Sequence, residues 1–252
     1  MRLDKFLASA GEKTRSTVKQ ILKKGCVTVN GTVVKKPETK VDPDLDCVKL
    51  YGETVHFQEY FYYMLNKPAG CVSATEDNLH PVVLDYIKEP HKMELFPVGR
   101  LDIDTVGLLL LTNDGALAHD LLSPKKHVDK TYYARVEGDV TAGDCELFQA
   151  GLDIGEKNRT LPAQLNILRT ASAIEASAGN AAAAQPKFPL TEIEVTICEG
   201  KFHQIKRMFE AVGKRVIYLK RLSMGGLTLD SALAEGEYRS LTPAEIEKLK
   251  NR

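Results

Sequence analysis

GRLDIDTVGLLLLTNDG, residues 99–115, places a short charged loop, an apolar run and a turn directly after one another. The apolar run, Val106–Leu111, has the length of a β-strand and is far shorter than the roughly 20 residues that cross a membrane. The Asn-Asp-Gly sequence that follows it is typical of a turn. The stretch therefore predicts a buried strand with charged side chains at its entrance.

Strand candidates on both sides of this stretch outnumber the helix candidates and do not alternate strictly with them. This pattern favours an α+β fold with a largely antiparallel, mixed sheet flanked by helices over a doubly wound parallel sheet. The predicted helices are Asp114–Leu122, Ala142–Ala150, Phe202–Val212 and Pro243–Lys250. The predicted strands are Tyr60–Leu65, Leu95–Val98, Leu108–Leu111, Thr131–Val136, Ala163–Leu168, Thr191–Ile197, Val216–Leu219, Leu227–Leu229 and Tyr238–Leu241.

The first part of the chain, residues 1–57, predicts a small module separate from a larger domain at 58–252. Asn30-Gly31 between two β-prone runs predicts a hairpin with a type I′ turn. The apolar residues of Ser16–Lys24 have helical period. This helix has three basic residues at a spacing of four, which therefore share one face: Arg15, Lys19 and Lys23. Within the larger domain, the small residues at 171–186 predict a flexible surface insertion.

Composition and charge point to a globular protein with a polyanionic partner. The 252 residues are 43% hydrophobic and 27% charged, which excludes wholesale disorder, collagen and a long coiled coil. The net charge is +0, yet residues 1–40 hold ten basic and three acidic residues, and residues 198–222 hold seven and two. Two basic regions on a neutral protein indicate that a polyanion is bound at defined places.

The sequence shows no motif for a cofactor, a metal or a membrane. Five cysteines form no Cys-x-x-Cys pair, six histidines show no metal-ligand spacing, and no glycine-rich phosphate loop occurs. The N-terminus lacks the apolar stretch of a secretory signal. We therefore predict a cytoplasmic protein with reduced thiols that needs no cofactor or metal and binds no membrane. A monomer is the default expectation.

The loop ahead of the buried strand holds a candidate catalytic carboxylate. Arg100 is close enough in sequence to pair with Asp102 and keep its carboxylate ionised. An ionised Asp at the lip of a buried strand can act as a nucleophile or as an electrostatic stabiliser. Taken alone, this pair is more typical of a loop salt bridge without chemistry.

A second stretch, Glu199–Gly213, predicts an amphipathic helix with one face towards the core. The predicted apolar face consists of Phe202, Ile205, Phe209 and Val212. The predicted polar face consists of His203, Lys206, Arg207 and Glu210. The simpler alternative is a surface pair between Lys206 and Glu210. In a third stretch, the adjacent Tyr132 and Tyr133 lie on a predicted strand and must point to opposite faces.

Seven stretches follow one another in the order of a known enzyme family: Met1–Phe6, Met64–Gly70, Gly99–Gly115, Lys130–Tyr132, Glu199–Gly213, Gly225–Leu229 and Gly236–Arg239. Along nearly its whole length the sequence resembles the RsuA branch of the pseudouridine synthases. Residues 1–57 resemble an S4 RNA-binding domain, and 58–252 resemble the catalytic domain.

The resemblance implies that a uridine inside RNA is isomerised to pseudouridine without cofactor or metal. The N1–C1′ glycosidic bond breaks, the uracil turns, and C5 bonds to C1′. By the same resemblance Asp102 is the catalytic aspartate, Tyr132 stacks on the flipped base, and Lys206 orients Asp102 and keeps it ionised.

The resemblance also implies the binding residues and the partner. Arg100 holds the flipped conformation or fills the space that the base leaves, and His203 and Arg207 bind substrate. Four residues of the S4-like module are expected to bind the RNA backbone: Arg2, Arg15, Lys19 and Lys23. The implied partner is ribosomal RNA in a small-subunit assembly intermediate, because matches at Met1–Phe6, Tyr62–Pro68 and Arg100–Thr105 favour the small-subunit (16S) type.

Three alternatives remain open at this point. The first is a synthase that acts on large-subunit (23S) rRNA. The second is a non-catalytic rRNA-binding or ribosome-assembly protein. The third is a glycosidase or nucleosidase, because Asp102 and Asp104 on an extended segment lie about 7 Å apart, near the roughly 6.5–9.5 Å of an inverting carboxylate pair. For Asp104, local bonding within the loop is the simpler interpretation.

Overall fold

A computed structural model of the protein describes residues 1–9, 14–171 and 189–251. Apart from Ala171, the insertion predicted at 171–186 lies outside these residues. Among the described residues, no helix has both the length and the apolar character that crossing a membrane requires.

The N-terminal unit packs two helices against a four-stranded antiparallel sheet of order β2-β1-β3-β4. Its core includes Phe6, Leu22 and Val48. Asn30 and Gly31 both have positive φ, of 50° and 82°, so the predicted type I′ hairpin is confirmed. The elements are α1 (Leu3–Ser9), α2 (Arg15–Lys23), β1 (Val27–Val29), β2 (Thr32–Val33), β3 (Val48–Leu50) and β4 (Glu53–Thr54).

The larger unit is built on a nine-stranded sheet whose main path runs β13-β5-β7-β11-β8-β10-β9, with β6 beside β7 and β12 beside β11. Its strands are β5 (Tyr62–Lys67), β6 (Phe96–Pro97), β7 (Val106–Thr112), β8 (Lys130–Glu137), β9 (Gln164–Ala171), β10 (Leu190–Ile197), β11 (Arg215–Met224), β12 (Leu227–Thr228) and β13 (Tyr238–Ser240). Strands β7 and β11 are parallel and the other described pairs are antiparallel. The predicted α+β fold with a largely antiparallel, mixed sheet is therefore confirmed.

Strand β7 lies at the centre of this unit, and all seven of its residues are buried. Leu109 and Leu111 face one apolar cluster, which includes residues of α4 (Ala142–Ala150) and α5 (Gln204–Ala211). Leu108 and Leu110 face a second cluster, which includes residues of α3 (Gly115–Leu122) and α6 (Pro243–Lys250). The helices on both faces of the sheet explain why β7 is apolar throughout instead of alternating.

The predicted helix Phe202–Val212 is shorter in the structure, because α5 begins at Gln204. His203 adopts a left-handed backbone with φ of 48°, which places Phe202 outside the helix. The prediction that Phe202 belongs to the buried apolar face is wrong, since its side chain is 70% exposed. Ile205 and Phe209 are buried as predicted.

Candidate active site

Asp102 lies on the loop that enters β7, and a buried lysine holds the backbone of that loop. Lys67, at the end of β5, is fully buried, and its Nζ donates to the carbonyl oxygens of Pro68 (3.0 Å), Asp102 (3.1 Å) and Thr105 (3.0 Å). Burial lowers the pKa of Lys67. The backbone N–H of Thr105 donates to the Asp102 carbonyl at 3.1 Å and closes the turn that presents the Asp102 side chain.

The Asp102 carboxylate pairs with a cation from helix α5. Lys206 Nζ lies 3.1 Å from Asp102 Oδ2 and 2.6 Å from Asp104 Oδ1. Burial alone favours the neutral amine, but the hydrogen bonds and charges of the two carboxylates outweigh it and raise the pKa of Lys206. At Asp104 burial is opposed by the hydrogen bond and charge of Lys206 and by smaller contributions from the backbone and His203, which together lower the pKa of that carboxyl. Lys206 is therefore an ammonium shared by two carboxylates.

A histidine flanks the other oxygen of Asp102. His203 Nε2 lies 3.6 Å from Asp102 Oδ1. The His203 ring also stacks on Phe202, with centroids 3.8 Å apart and an interplanar angle of 18°. This stack and the left-handed backbone fix the imidazole beside the carboxylate.

Tyr132 is brought to the same place by strand β8. Its side chain is buried and belongs to the same apolar cluster as Ala134 and Val136, two and four residues further along the strand. Tyr133 points to the opposite face, where its ring makes an edge contact with Tyr218 at 6.1 Å. The predicted opposite orientation of the two tyrosines is confirmed.

Asp102, Tyr132 and His203 line a cleft of about 740 Å³. Small-ligand sites in proteins occupy about 300–1,000 Å³. A smaller pocket of about 80 Å³ adjoins the cleft, and the same three side chains line both. Lys206 lines the smaller pocket. The arrangement offers an oriented carboxylate beside an aromatic ring in a concave site.

A match to the family described as RNA pseudouridylate synthase covers residues 61–211, which include all of these groups. The chain belongs to this family. It is an RNA pseudouridine synthase, and RNA is its substrate. A second match, described as S4 domain, covers residues 1–47 of the N-terminal unit. The family and the S4 domain predicted from the sequence are therefore confirmed.

Individual relatives match this synthase over almost its full length. The chain is 47% identical over 250 residues to an uncharacterized RNA pseudouridine synthase, YtzG, of Bacillus subtilis (strain 168), which covers 99% of this chain and 98% of the relative. It is 41% identical over 250 residues to the ribosomal small subunit pseudouridine synthase A of Yersinia pestis, with 98% and 97% covered. A solved structure described as a crystal structure of pseudouridylate synthase is 37% identical, with a TM-score of 0.65 and 99% of both chains covered.

Arg100 lies on the rim of the cleft but does not pair with Asp102. Its side chain is exposed, and no ion pair joins it to Asp102 in the described parts of the chain. The expectation that Arg100 keeps Asp102 ionised is therefore wrong. Lys206 occupies that position instead, and the alternative surface pair between Lys206 and Glu210 is not formed either.

Arg207 is held away from the cleft. Its Nη1 donates to Glu156 Oε1 at 2.7 Å and to the Phe202 carbonyl at 3.0 Å, and its Nη2 donates to the Ile154 carbonyl. Arg207 does not line the cleft or the pocket beside it. In the structure Arg207 fixes the 154–156 loop, and its contact with substrate stays a prediction.

The basic candidates of the S4 domain differ in how free they are. Arg15, Lys19 and Lys23 are exposed on α2. Arg2 donates two hydrogen bonds to the buried carboxylate of Asp4, at 3.0 and 2.8 Å. The bond from Arg2 lowers the pKa of Asp4, so part of the charge of Arg2 is neutralised inside the domain.

Sequence reasoning missed three features of the cleft. It counted Arg221 only as one member of a basic cluster, whereas the structure buries its side chain against the cleft. It placed Phe202 in the core and gave no role to Thr105, whose buried hydroxyl has no partner among the described residues. The pairing of β8 with β11 places Arg221 opposite Tyr132, and this register indicates that Arg221 belongs to the cleft.

Proposed function

We propose that this synthase converts one uridine of small-subunit ribosomal RNA to pseudouridine, with Asp102 as the catalytic residue. The observation that supports this most is the contact between Asp102 and Lys206 within reach of the cleft that Tyr132 lines. A carboxylate beside an ammonium is held in one orientation, ready to meet the sugar carbon of a nucleotide.

The proposed reaction is balanced by the base itself. When the N1–C1′ bond breaks, its electron pair leaves with uracil, and Asp102 either bonds to C1′ or stabilises its positive charge. The uracil turns and C5 bonds to C1′. If Asp102 has bonded to C1′, that bond breaks in the same step and its electron pair returns to the carboxylate. The C5 proton then leaves, and N1 gains a proton. No water has to be activated, so one carboxylate is sufficient.

The base must first leave its stack, which costs a few kcal/mol. We propose that Tyr132 stacks on the flipped base and that Arg100 and His203, at the edges of the cleft, hold the strand around it. The exposed basic face of α2 (Arg15, Lys19 and Lys23), together with Arg2, would provide backbone contacts that offset the cost of flipping.

The choice of small-subunit RNA rests on the relatives that are named for it. A large-subunit target remains the alternative, and an assembly intermediate, a monomer and a cytoplasmic location stay predictions from the sequence. The inverting-glycosidase alternative is disfavoured, because oxygens of Asp102 and Asp104 lie within 3.1 Å of one nitrogen. These two oxygens are therefore closer together than the roughly 6.5–9.5 Å of an inverting pair.

Tritium release from C5-labelled uridine in small-subunit RNA tests the reaction. We expect Asp102→Asn to lower the rate by at least about 10²–10³-fold, because it removes the charge that the transition state needs. Asp139→Asn, on an exposed loop after β8, is the matched control and should keep the wild-type rate. Full activity of Asp102→Asn would overturn the proposed role.

The target is tested separately by mapping pseudouridine in both ribosomal RNAs of cells that lack the protein. Loss of one site in the small-subunit RNA is the expected result. Loss of a site in the large-subunit RNA, with the small-subunit RNA unchanged, would assign the enzyme to the alternative target.

A further inference from the structure

The largest fully buried side chain among the described residues is an arginine, and it is incompletely bonded. Arg221 is 2% exposed, and its Nε donates to the Leu108 carbonyl at 2.7 Å. Its Nη2 is buried without a hydrogen-bond partner, and the described residues offer it no ion pair. Leaving a buried charged group unpaired is strongly unfavourable, so the position calls for an explanation.

The strands around Arg221 place it in the floor of the cleft. It lies opposite Tyr132 of β8 and beside Gly107 of β7 in the sheet register. Directly opposite residues of antiparallel strands share a face, so Arg221 and Tyr132 lie on the same side of the sheet. Both line the cleft. Gly107 permits this packing, because a Cβ there would collide with the Arg221 backbone.

The carboxylates that line the cleft already have other partners. Asp102 is paired with Lys206. Glu199 Oε1 accepts hydrogen bonds from the Leu161 N–H and from Gln204 Nε2, both at 2.8 Å. A second buried cation, Lys130, also lines the cleft and donates to the Val128 carbonyl at 2.8 Å. Among the described residues, no carboxylate that lines the cleft therefore neutralises Arg221.

We infer that Arg221 binds a non-bridging oxygen of an RNA phosphodiester next to the target uridine. An anion matches an unpaired guanidinium better than a neutral carbonyl does, because the attraction compensates for the buried charge. This inference rests on the proposed entry of RNA into the cleft and adds a phosphate subsite beside Tyr132. A base carbonyl as the partner of Arg221 is the competing outcome.

Oligonucleotides with one uncharged linkage test this subsite by binding alone. The probe is a 5′-fluorescein-labelled pentauridylate in which each linkage in turn is a methylphosphonate, and affinity is measured by fluorescence anisotropy. For the wild type we expect one linkage at which neutralisation weakens binding by about tenfold more than at the others, as expected for a charge-assisted bond. In Arg221→Met the unmodified oligomer should bind about tenfold more weakly, and that linkage should cause no further loss.

Two further variants make the result decisive. Arg215 is an exposed arginine of the same strand and pairs with Glu137. Arg215→Met should lose affinity at the same linkage as the wild type and by the same factor. Arg221→Lys retains the charge and should retain a smaller effect at the same linkage, which covers the case that Arg221→Met does not fold.

The inference would be overturned if neutralising any linkage weakened wild-type binding equally. It would also be overturned if Arg221→Met lost affinity at the same linkage and by the same factor as the wild type. The second outcome would favour a base carbonyl as the partner. Since these measurements record binding, their failure alongside normal tritium release would leave the proposed reaction in place.

Discussion

The basic face of the S4 domain and the cleft that Asp102 and Tyr132 line contain cations in opposite surroundings. Arg15, Lys19 and Lys23 are exposed and form no ion pair with a described residue. Lys67, Lys206 and Arg221 in or near the cleft are buried or mostly buried. Exposed charges act through water and are screened over about 8–10 Å at physiological salt. Each buried cation instead has a fixed position and its own surroundings, so we expect the exposed group to be interchangeable and the buried group not to be.

Among the substitutions that test this difference, removal of the Lys206 charge should have the largest effect. In Lys206→Met, Asp102 and Asp104 lose their common counter-ion and Asp102 loses its orientation, so we expect kcat to fall by about 10²-fold. Steady-state tritium release measures this. Lys206→Arg should recover part of the rate, while Glu210→Gln, an exposed position on the same helix, should change nothing.

The pH dependence follows from the same pair. Because the pKa of Lys206 is raised above its usual 10.5, the ammonium persists throughout the neutral and mildly alkaline range. We therefore expect no loss of wild-type activity between about pH 7 and 9 from this residue. An alkaline decline that disappears in Lys206→Arg would contradict this assignment.

Lys67→Met should reduce stability rather than catalysis alone. The substitution leaves the carbonyl oxygens of Asp102 and Thr105 without their buried donor, so we expect a loss of about 1–3 kcal/mol in the free energy of unfolding. Urea unfolding at constant m-value measures it. Lys49→Met, at an exposed site on β3, is the control and should stay within about 0.5 kcal/mol of wild type. An equal effect of the two variants would remove the distinction between exposed and buried lysines.

Reversal of two charges on α2 should weaken binding without changing the chemistry. For Lys19→Glu/Lys23→Glu we expect weaker binding to all RNAs and a slope of log affinity against log salt that is smaller by about 2. Lys248 is on α6, which packs on the face of the nine-stranded sheet opposite to Tyr132. Lys248→Glu should leave the slope unchanged. An unchanged slope in the double variant would show that α2 does not contact RNA.

The smallest effect is expected at a surface network near the C-terminus. Arg239 donates to both oxygens of Glu245, at 2.9 and 2.8 Å, and this bond lowers the pKa of Glu245 to about 2. Because the folded-state pKa lies below that of the unfolded chain, the stabilisation is present above about pH 4.5 and is lost as the pH falls towards 2. In Glu245→Gln the free energy of unfolding should therefore depend less on pH in this window, and it should be slightly lower than that of the wild type at neutral pH. Acid unfolding identical to wild type would rule this contribution out.

The sequence predicted the elements that depend on local pattern. Strand β7, helix α6 and the Asn30-Gly31 hairpin all follow from residues close in the chain. Helix α1 and strands β3 and β4 were not predicted. Helix α1 spans only about two helical turns, and β3 and β4 are three and two residues long without an Asn-Gly turn between them.

The site shows where local reasoning fails. Arg100 is the basic neighbour of Asp102 in sequence, yet the counter-ion comes from Lys206, more than a hundred residues later. Phe202 fits the helical period, but the left-handed backbone of His203 makes the helix begin only at Gln204, after Phe202. Burial of Arg221 is determined by strand pairing across the sheet, which the composition of one strand cannot reveal. The contact of Lys206 with Asp102 was predicted only by resemblance to the family.

The separation of Asp102 and Lys206 along the chain affects the order of events during synthesis. The S4 domain lies N-terminal to the other groups, so it emerges from the translating ribosome first and can fold first. Helix α5, which supplies the counter-ion, is made near the end. A nascent polypeptide can thus display its basic helix while Asp102 is still unpaired and unoriented. Under the proposed mechanism, RNA can therefore bind before the site is able to act on it.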